Sequence, residues 1–191
     1  MVKAMAFAAA LLAITAWSPA EEANLSQGRA VARILEEAGE AGPGGRLQAA
    51  IDIPAPPALV WRILLDCERA PLFVPNLRAC RILETAPDGA WDVREHRVRW
   101  LAFLPEFTLR FRATYVAERE IRIASEGGDF AEMNGVWRLE PLAGEATRLH
   151  YDVRLTPNRF IPSGLVRSAL LRDTPKVLEA VRAEALRTPK P

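Results

Sequence analysis

The 191-residue chain reads as an α+β protein, a curved antiparallel sheet wrapped around one long C-terminal helix, with two short helices after the first core strand. Three observations predict it. Val166, Ala169, Leu170, Val177, Val181 and Ala185 recur at three-, four- and seven-residue steps between residues 163 and 187, which draws one apolar stripe on a helix. Most of the chain from 46 to 157 alternates instead with the two-residue period of strands. Between the first of those strands and the next pattern stands Pro54-Ala55-Pro56-Pro57, a good entrance to a helix. A lone amphipathic helix after a run of strands must bury its stripe on their apolar face.

In chain order, residues 1–20 come first. Lys3, an apolar run from 4 to 17 and the small residues Ser18-Pro19-Ala20 form the pattern of a secretory signal peptide cleaved after Ala20. The run is short of the roughly 20 residues of a membrane span, and an uncleaved anchor is the alternative to cleavage. The expected location is therefore exported, periplasmic or secreted. Residues 21–45 form an N-terminal extension, with an irregular lead-in over 21–27, a run over 28–35 that reads as a strand with a helix start as the alternative, and a turn at 41–45.

The domain proper is expected over 46–187, with a short tail at 188–191. Residues 46–53 make a strand, and Val60, Trp61, Leu64 and Leu65 give helical spacing over 58–65. A second short helix or turn follows at 68–74. Strands are then expected over 77–84, 91–103, 107–115, around Ile121 and Ile123, over 133–139 and over 147–155. Strand 91–103 is the least regular, because its alternation slips between Val93 and Val98, which predicts a bulge or an irregular edge. Pro175 interrupts the last helix. The stripe keeps phase across it, which favours one kinked helix over two helices with Thr174 as a cap. Asp173 then falls on the stripe, as a cavity residue or a local cap.

Composition excludes little but excludes it clearly. Lys and Arg number 25 against 24 Asp and Glu, so without Lys3 the chain is neutral and makes no case for nucleic acid. Cys67 and Cys80 are the only cysteines. Export would permit a disulfide between them, with two small buried thiols as the alternative.

Local similarity is more specific. Ile51-Asp52-Ile53-Pro54-Ala55-Pro56-Pro57, Val60-Trp61 and the run from Asp66 to Asn76 resemble the opening of the START-like (SRPBCC) superfamily. The closest branch is that of polyketide cyclase/dehydrase and coenzyme Q-binding type proteins. Gly128-Asp129-Phe130, Gly135-Val136-Trp137-Arg138-Leu139 and Thr147-Arg148-Leu149-His150-Tyr151 resemble its later strands, and Phe160-Ile161-Pro162 the start of its last helix. The resemblance implies a helix-grip fold. These motifs are structural, so they specify fold better than chemistry.

No phosphate loop, paired-cysteine zinc motif or nucleophile elbow is present, so no catalytic residue, metal or cofactor is assigned. His150 lies opposite the Leu149/Tyr151 face and should meet solvent, and His96 is read as a surface or satisfied histidine. Asp66 and Glu68 are read as caps or solvated groups. In the irregular strand, Glu95, Arg97 and Arg99 alternate with Arg94, His96 and Val98, so one set points inward unless a bulge intervenes. An inward charged set needs partners or water. Arg110, Arg112, Arg122, Arg138, Arg148 and Arg154 occupy the opposite faces of their strands and predict a basic outer surface. Acidic partners on a solvated face are favoured over docking to anionic membrane headgroups.

The apolar set carries the functional expectation. Trp61, Phe73, Trp100, Phe107, Phe111 and Phe130 should converge between sheet and final helix, with Met133, Trp137, Phe160, Ala169 and Leu170. One helix leaves much of such a sheet uncovered, which favours a cavity. Burying ~300 Å² of apolar ligand there would contribute roughly 7 kcal/mol before association costs. The expected function is binding of a hydrophobic small molecule: a lipid, an isoprenoid quinone or a polycyclic aromatic. A cyclase/dehydrase-type enzyme acting on such a molecule, or an interaction module using the basic sheet face, are the alternatives.

Overall fold

The computed structural model describes residues 16–35, 45–100, 104–157 and 162–188. The first element is one the sequence reading lacks. In place of an irregular lead-in, α1 (Pro19–Ser26) forms a helix because Ser18 and Glu21 make a reciprocal capping box. Ser18 Oγ accepts from the Glu21 backbone N–H at 3.3 Å, and the Glu21 carboxylate accepts from Ser18 N–H at 2.7 Å. Gly28, at φ +69°, turns the chain out of the helix in a left-handed conformation that suits glycine.

β1 (Val31–Leu35) pairs antiparallel with β2 (Gly45–Ile53). The segment before residue 46 thus supplies an edge strand of the main sheet. Trp17 and Leu25 pack with Val31 and Ala50, so α1 covers the face of β1 and β2 that turns away from the main core. Arg148 ties it there by reaching both Asp52 at 2.7 Å and Glu22 at 2.9 Å.

After β2 come α2 (Pro57–Leu65), α3 (Ala70–Phe73), and then β3 (Leu77–Thr85), β4 (Trp91–Val98), β5 (Phe107–Val116), β6 (Glu120–Gly128), β7 (Phe130–Leu142) and β8 (Ala146–Pro157). The eight strands form one sheet in the order β1-β2-β8-β7-β6-β5-β4-β3, with every neighbouring pair antiparallel. Register shifts at Arg110/Phe111 and Phe130/Glu132 bend it. At the first of these, Gly128 lies so close to the Thr108 carbonyl that a Cβ would collide with it.

The irregularity expected in β4 is not there. β4 pairs with β5 without a slip from Trp91↔Thr114 to Val98↔Phe107, and the shifts lie in its other neighbour, β3, at Leu77/Ala79 and Ile82/Glu84. Its alternation looked broken only because the inward row carries Asp92, Arg94 and His96 ahead of Val98.

The final helix α4 (Ser163–Arg187) runs as one helix through Pro175. Val166, Ala169, Asp173, Thr174, Leu178, Val181, Glu184 and Ala185 are its buried residues. It rests chiefly on β2, with α2, β1 and β8 beside it. Leu47, Ile51, Ile53, Leu59, Leu149, Val166 and Leu178 are fully buried in that half. The inner faces of β4 to β7 curl away from the helix, and the space between is where the cavity lies.

Cys67, in the turn after α2, is bonded to Cys80 of β3, with Cα atoms 5.3 Å apart. On the outer sheet face the arginines have acidic partners. Arg110 pairs with Glu95 at 2.9 Å, Arg112 with Glu126 at 2.5 Å and Arg138 with Glu120 at 3.1 Å, while Arg122 also contacts Glu120. His150 is on this face too, 2.8 Å from Glu140.

Candidate ligand-binding cavity

A cavity of about 250 Å³ lies between α4 and the inner faces of β3 to β8. Each wall follows from its element. The period-2 alternation of β5 and β6 delivers Leu109, Phe111, Ala113, Ile121 and Ile123 to one side. β7 and β8 supply Met133 and the stacked pair Trp137 and Tyr151, whose ring centroids are 3.9 Å apart. From α4 come Ala169, Leu170, Asp173, Thr174, Val177 and Val181. The remaining side is the segment after α2, with Ala70, Phe73, Val74, Pro75, Asn76 and Leu77, together with Cys80 of the disulfide.

Of the side chains expected to line a cavity, Phe73, Trp100, Phe111, Met133, Trp137, Ala169 and Leu170 are in its wall. Phe107 and Phe130 are behind it. They form a cluster with Trp100, at 5.1 and 5.6 Å, so Trp100 presents to the cavity the aromatic layer that they support. Trp61 is displaced to the α2 side, where its ring meets Tyr115 edge-on at 5.9 Å. Phe160 falls outside the described residues.

Part of the lining is polar: of the two alternating sets left open in β4, the one with Arg94, His96 and Val98 points inward. Arg94 and Asp92 are 7% and 5% exposed, and Arg94 lines the cavity. Its Nε donates to Asp92 Oδ1 at 2.9 Å, and its Nη2 to Asp92 Oδ2 at 3.0 Å and to the Tyr115 hydroxyl at 2.9 Å. The Leu64 and Leu65 carbonyls at the end of α2 accept from the same guanidinium at 3.5 and 3.3 Å. Burial works against the Arg94 charge, but these acceptors outweigh it and hold the guanidinium above its ordinary range. Burial likewise raises the Tyr115 phenol, which stays protonated.

His96 corrects a second reading. It is an inner-face residue set edge-on against Phe111 at 4.9 Å, and its Nε2 is buried with no hydrogen-bond partner among the described residues. Burial first, and the neighbouring Arg94 charge second, depress its pKa to about 4, so the ring is neutral near pH 7. On the opposite wall, Asp173 accepts from Arg172 at 2.6 and 2.8 Å and has Lys176 at 3.8 Å. Parity was the available signal: Asp92, Arg94, His96 and Val98 share one phase, and Tyr115 shares the phase of Phe111. Among the described residues no cluster of three His, Cys, Asp or Glu is placed to hold a metal. No helix among them is long and apolar enough to cross a membrane.

The arrangement can enclose an apolar body and offer it hydrogen bonds at one end. Solved structures share this architecture. One is the Zhui aromatase/cyclase from Streptomyces, at 22% identity over 74% of this chain and 93% of that one, with a TM-score of 0.66. Another is a STAR-related lipid transfer protein from Xanthomonas axonopodis, at 17% identity, 83% and 94% coverage and a TM-score of 0.69. A third is the lipid transfer and protein localization domain of human StarD13, at 14% identity, 84% and 86% coverage and a TM-score of 0.70. At these identities the likeness is one of fold. No sequence among curated proteins matches significantly. The family model described as polyketide cyclase / dehydrase and lipid transport matches residues 53–182, from the last residue of β2 into α4. The chain therefore belongs to the polyketide cyclase/dehydrase and lipid transport family, with the helix-grip fold of the START-like superfamily.

Proposed function

We propose that this protein binds a hydrophobic small molecule in the cavity beneath α4 and works as a carrier rather than as an enzyme. The observation that carries the reading is the cavity itself, about 250 Å³ of mostly apolar wall with its polar groups gathered in a few places. An apolar cavity of roughly 150 Å³ takes benzene, so this one takes about ten non-hydrogen atoms, a body of two fused rings. A polycyclic aromatic or the head of an isoprenoid quinone suits that volume. A long acyl or isoprenyl tail would have to extend out of it.

Export belongs to the same reading, supported by the leader pattern of residues 1–20 and by the Cys67–Cys80 bond, which oxidising compartments favour. Docking on a membrane through the basic sheet face has weaker support, because those arginines are engaged with acidic neighbours. The test is native mass spectrometry of protein expressed with its leader into a periplasm. A retained apolar small molecule is expected, and repeated recovery of an empty chain that also refuses apolar dyes would end the carrier reading.

A second reading is a cyclase/dehydrase-type enzyme. Its specific support is Arg94 and His96 in the β4 wall, with Tyr115 bonded to Arg94 and Asp173 on the α4 wall opposite, which together offer hydrogen-bond donors and a neutral imidazole. Turnover of a poly-β-keto substrate that is lost in His96→Gln would favour it over the carrier.

A further inference from the structure

The charge balance of the polar end carries an inference about which ligands enter. It rests on the ligand-binding reading above. Arg94 is the only guanidinium in the cavity wall among the described residues, and its charge is already matched. Both Asp92 carboxylate oxygens accept from it, at 2.9 and 3.0 Å, and both side chains are shut off from solvent. The other charged lining group, Asp173, is matched by Arg172 and Lys176 at the outer side of α4. His96 faces this end as a neutral ring, and Tyr115 adds a protonated phenol. At the β4 end the buried Arg94–Asp92 pair therefore carries no net charge before any ligand arrives.

We infer that the site selects ligands of about two fused rings whose polar end is an uncharged hydroxyl or carbonyl, and that Asp92 sets this choice by cancelling the charge of Arg94. The donor supply agrees. A guanidinium has five N–H groups. Arg94 Nη1 has a single acceptor, the Leu64 carbonyl at the long distance of 3.5 Å, so an N–H remains for a ligand oxygen. A carbonyl or hydroxyl can take that N–H without bringing charge. A carboxylate would place a second anion on one cation, beside Asp92 and away from water, and a buried unmatched charge is costly. Asp92 is thus a positioning residue with respect to Arg94 and the origin of the selectivity, without touching the ligand.

The test is calorimetric titration of the whole protein near neutral pH with three probes of one size: naphthalene, naphthol and naphthoate. The wild type should bind naphthol at least about tenfold more tightly than naphthoate. Asp92→Asn preserves shape and leaves the Arg94 charge unmatched, so it should shrink that preference at least about tenfold or reverse it, with naphthalene affinity little changed. Equal or tighter binding of naphthoate by the wild type overturns the inference, as does an unchanged preference in a folded Asp92→Asn protein. Should that variant not fold, the wild-type preference decides alone. Failure of all three probes, naphthalene included, would overturn the ligand-binding reading and this inference with it.

Discussion

His96 shows how much a single inward side chain carries. Its pKa is lowered from 6.5 to about 4 by burial and by Arg94. Between those values the unfolded chain binds a proton that the folded chain refuses, so stability falls as pH drops through the window. The shift corresponds to roughly 3 kcal/mol. Glu21, Glu95 and Glu120, whose carboxyls are held below their usual range, add their own losses only at more acidic pH. Urea unfolding across this range should show the decline in the wild type, and His96→Gln should lack most of its upper part. Identical profiles would place the imidazole in contact with water. Ala169 tests the opposite wall. It is 2% exposed yet borders the cavity, so an indole at that position has empty space to enter. Ala169→Trp should keep a near-normal melting temperature and lose binding of apolar dyes. In a filled core the same change would cost about 1–3 kcal/mol, and a strongly lowered melting temperature would contradict the cavity.

Among the elements, the segment from Cys67 to Leu77 is the thinnest wall of the cavity. α3 has four residues, none of them buried, and Leu72 is 81% exposed. Its side-chain links are the disulfide to β3, Arg69, which reaches the buried Glu184 of α4 at 2.5 Å, and the Asp66 carboxylate, which accepts from the Arg69 backbone N–H at 3.0 Å. Reduction by a dithiol should lower the unfolding free energy by about 3 kcal/mol, the loop-entropy value for a ring of this length. It should also speed the release of a bound apolar dye, because Cys80 and the residues it tethers line the cavity. Denaturant titration and a dye-chase experiment, each with and without reductant, check the two effects separately. Elements differed in how well they could be read. β5 was plain because Phe107, Leu109, Phe111, Ala113 and Tyr115 are apolar or aromatic on one face. β4 obeys the same period, but its inward residues are charged, and hydropathy cannot tell an inward charge from a slip in register. α1 was hidden by a competing pattern, since Ser18-Pro19-Ala20-Glu21 is at once a cleavage motif and a capping box.

For the whole molecule, that double reading has a measurable consequence. Removal of a leader after Ala20, as proposed, takes away Ser18 and the buried Trp17, and with them the cap of α1 and part of its contact with β1 and β2. Protein beginning at Glu21 should be less stable than the full chain by about 1–3 kcal/mol, the sum expected for a lost cap and a lost apolar contact. Its dye binding should be unchanged, because α1 covers the sheet face remote from the cavity. Equal stability of the two forms would mean that Trp17 contributes nothing to the fold. The order of elements from β1 onward, the single long helix through Pro175 and the aromatic part of the cavity wall, Phe73, Trp100, Phe111 and Trp137, were legible in the sequence alone. Periodicity reports which residues share a face, and faces of strands and helices pair in few ways. What only the tertiary structure decided is where the helix rests on the sheet. α4 settles on β2 and leaves β4 to β7 standing off, and that offset makes a cavity out of faces that could equally have closed into a dry core. It also brings Asp92, Arg94 and Tyr115 together from two strands, with the end of α2 over them. The match of charge that gives the site its character depends on distances of about 3 Å across those elements, and one-dimensional spacing does not encode them.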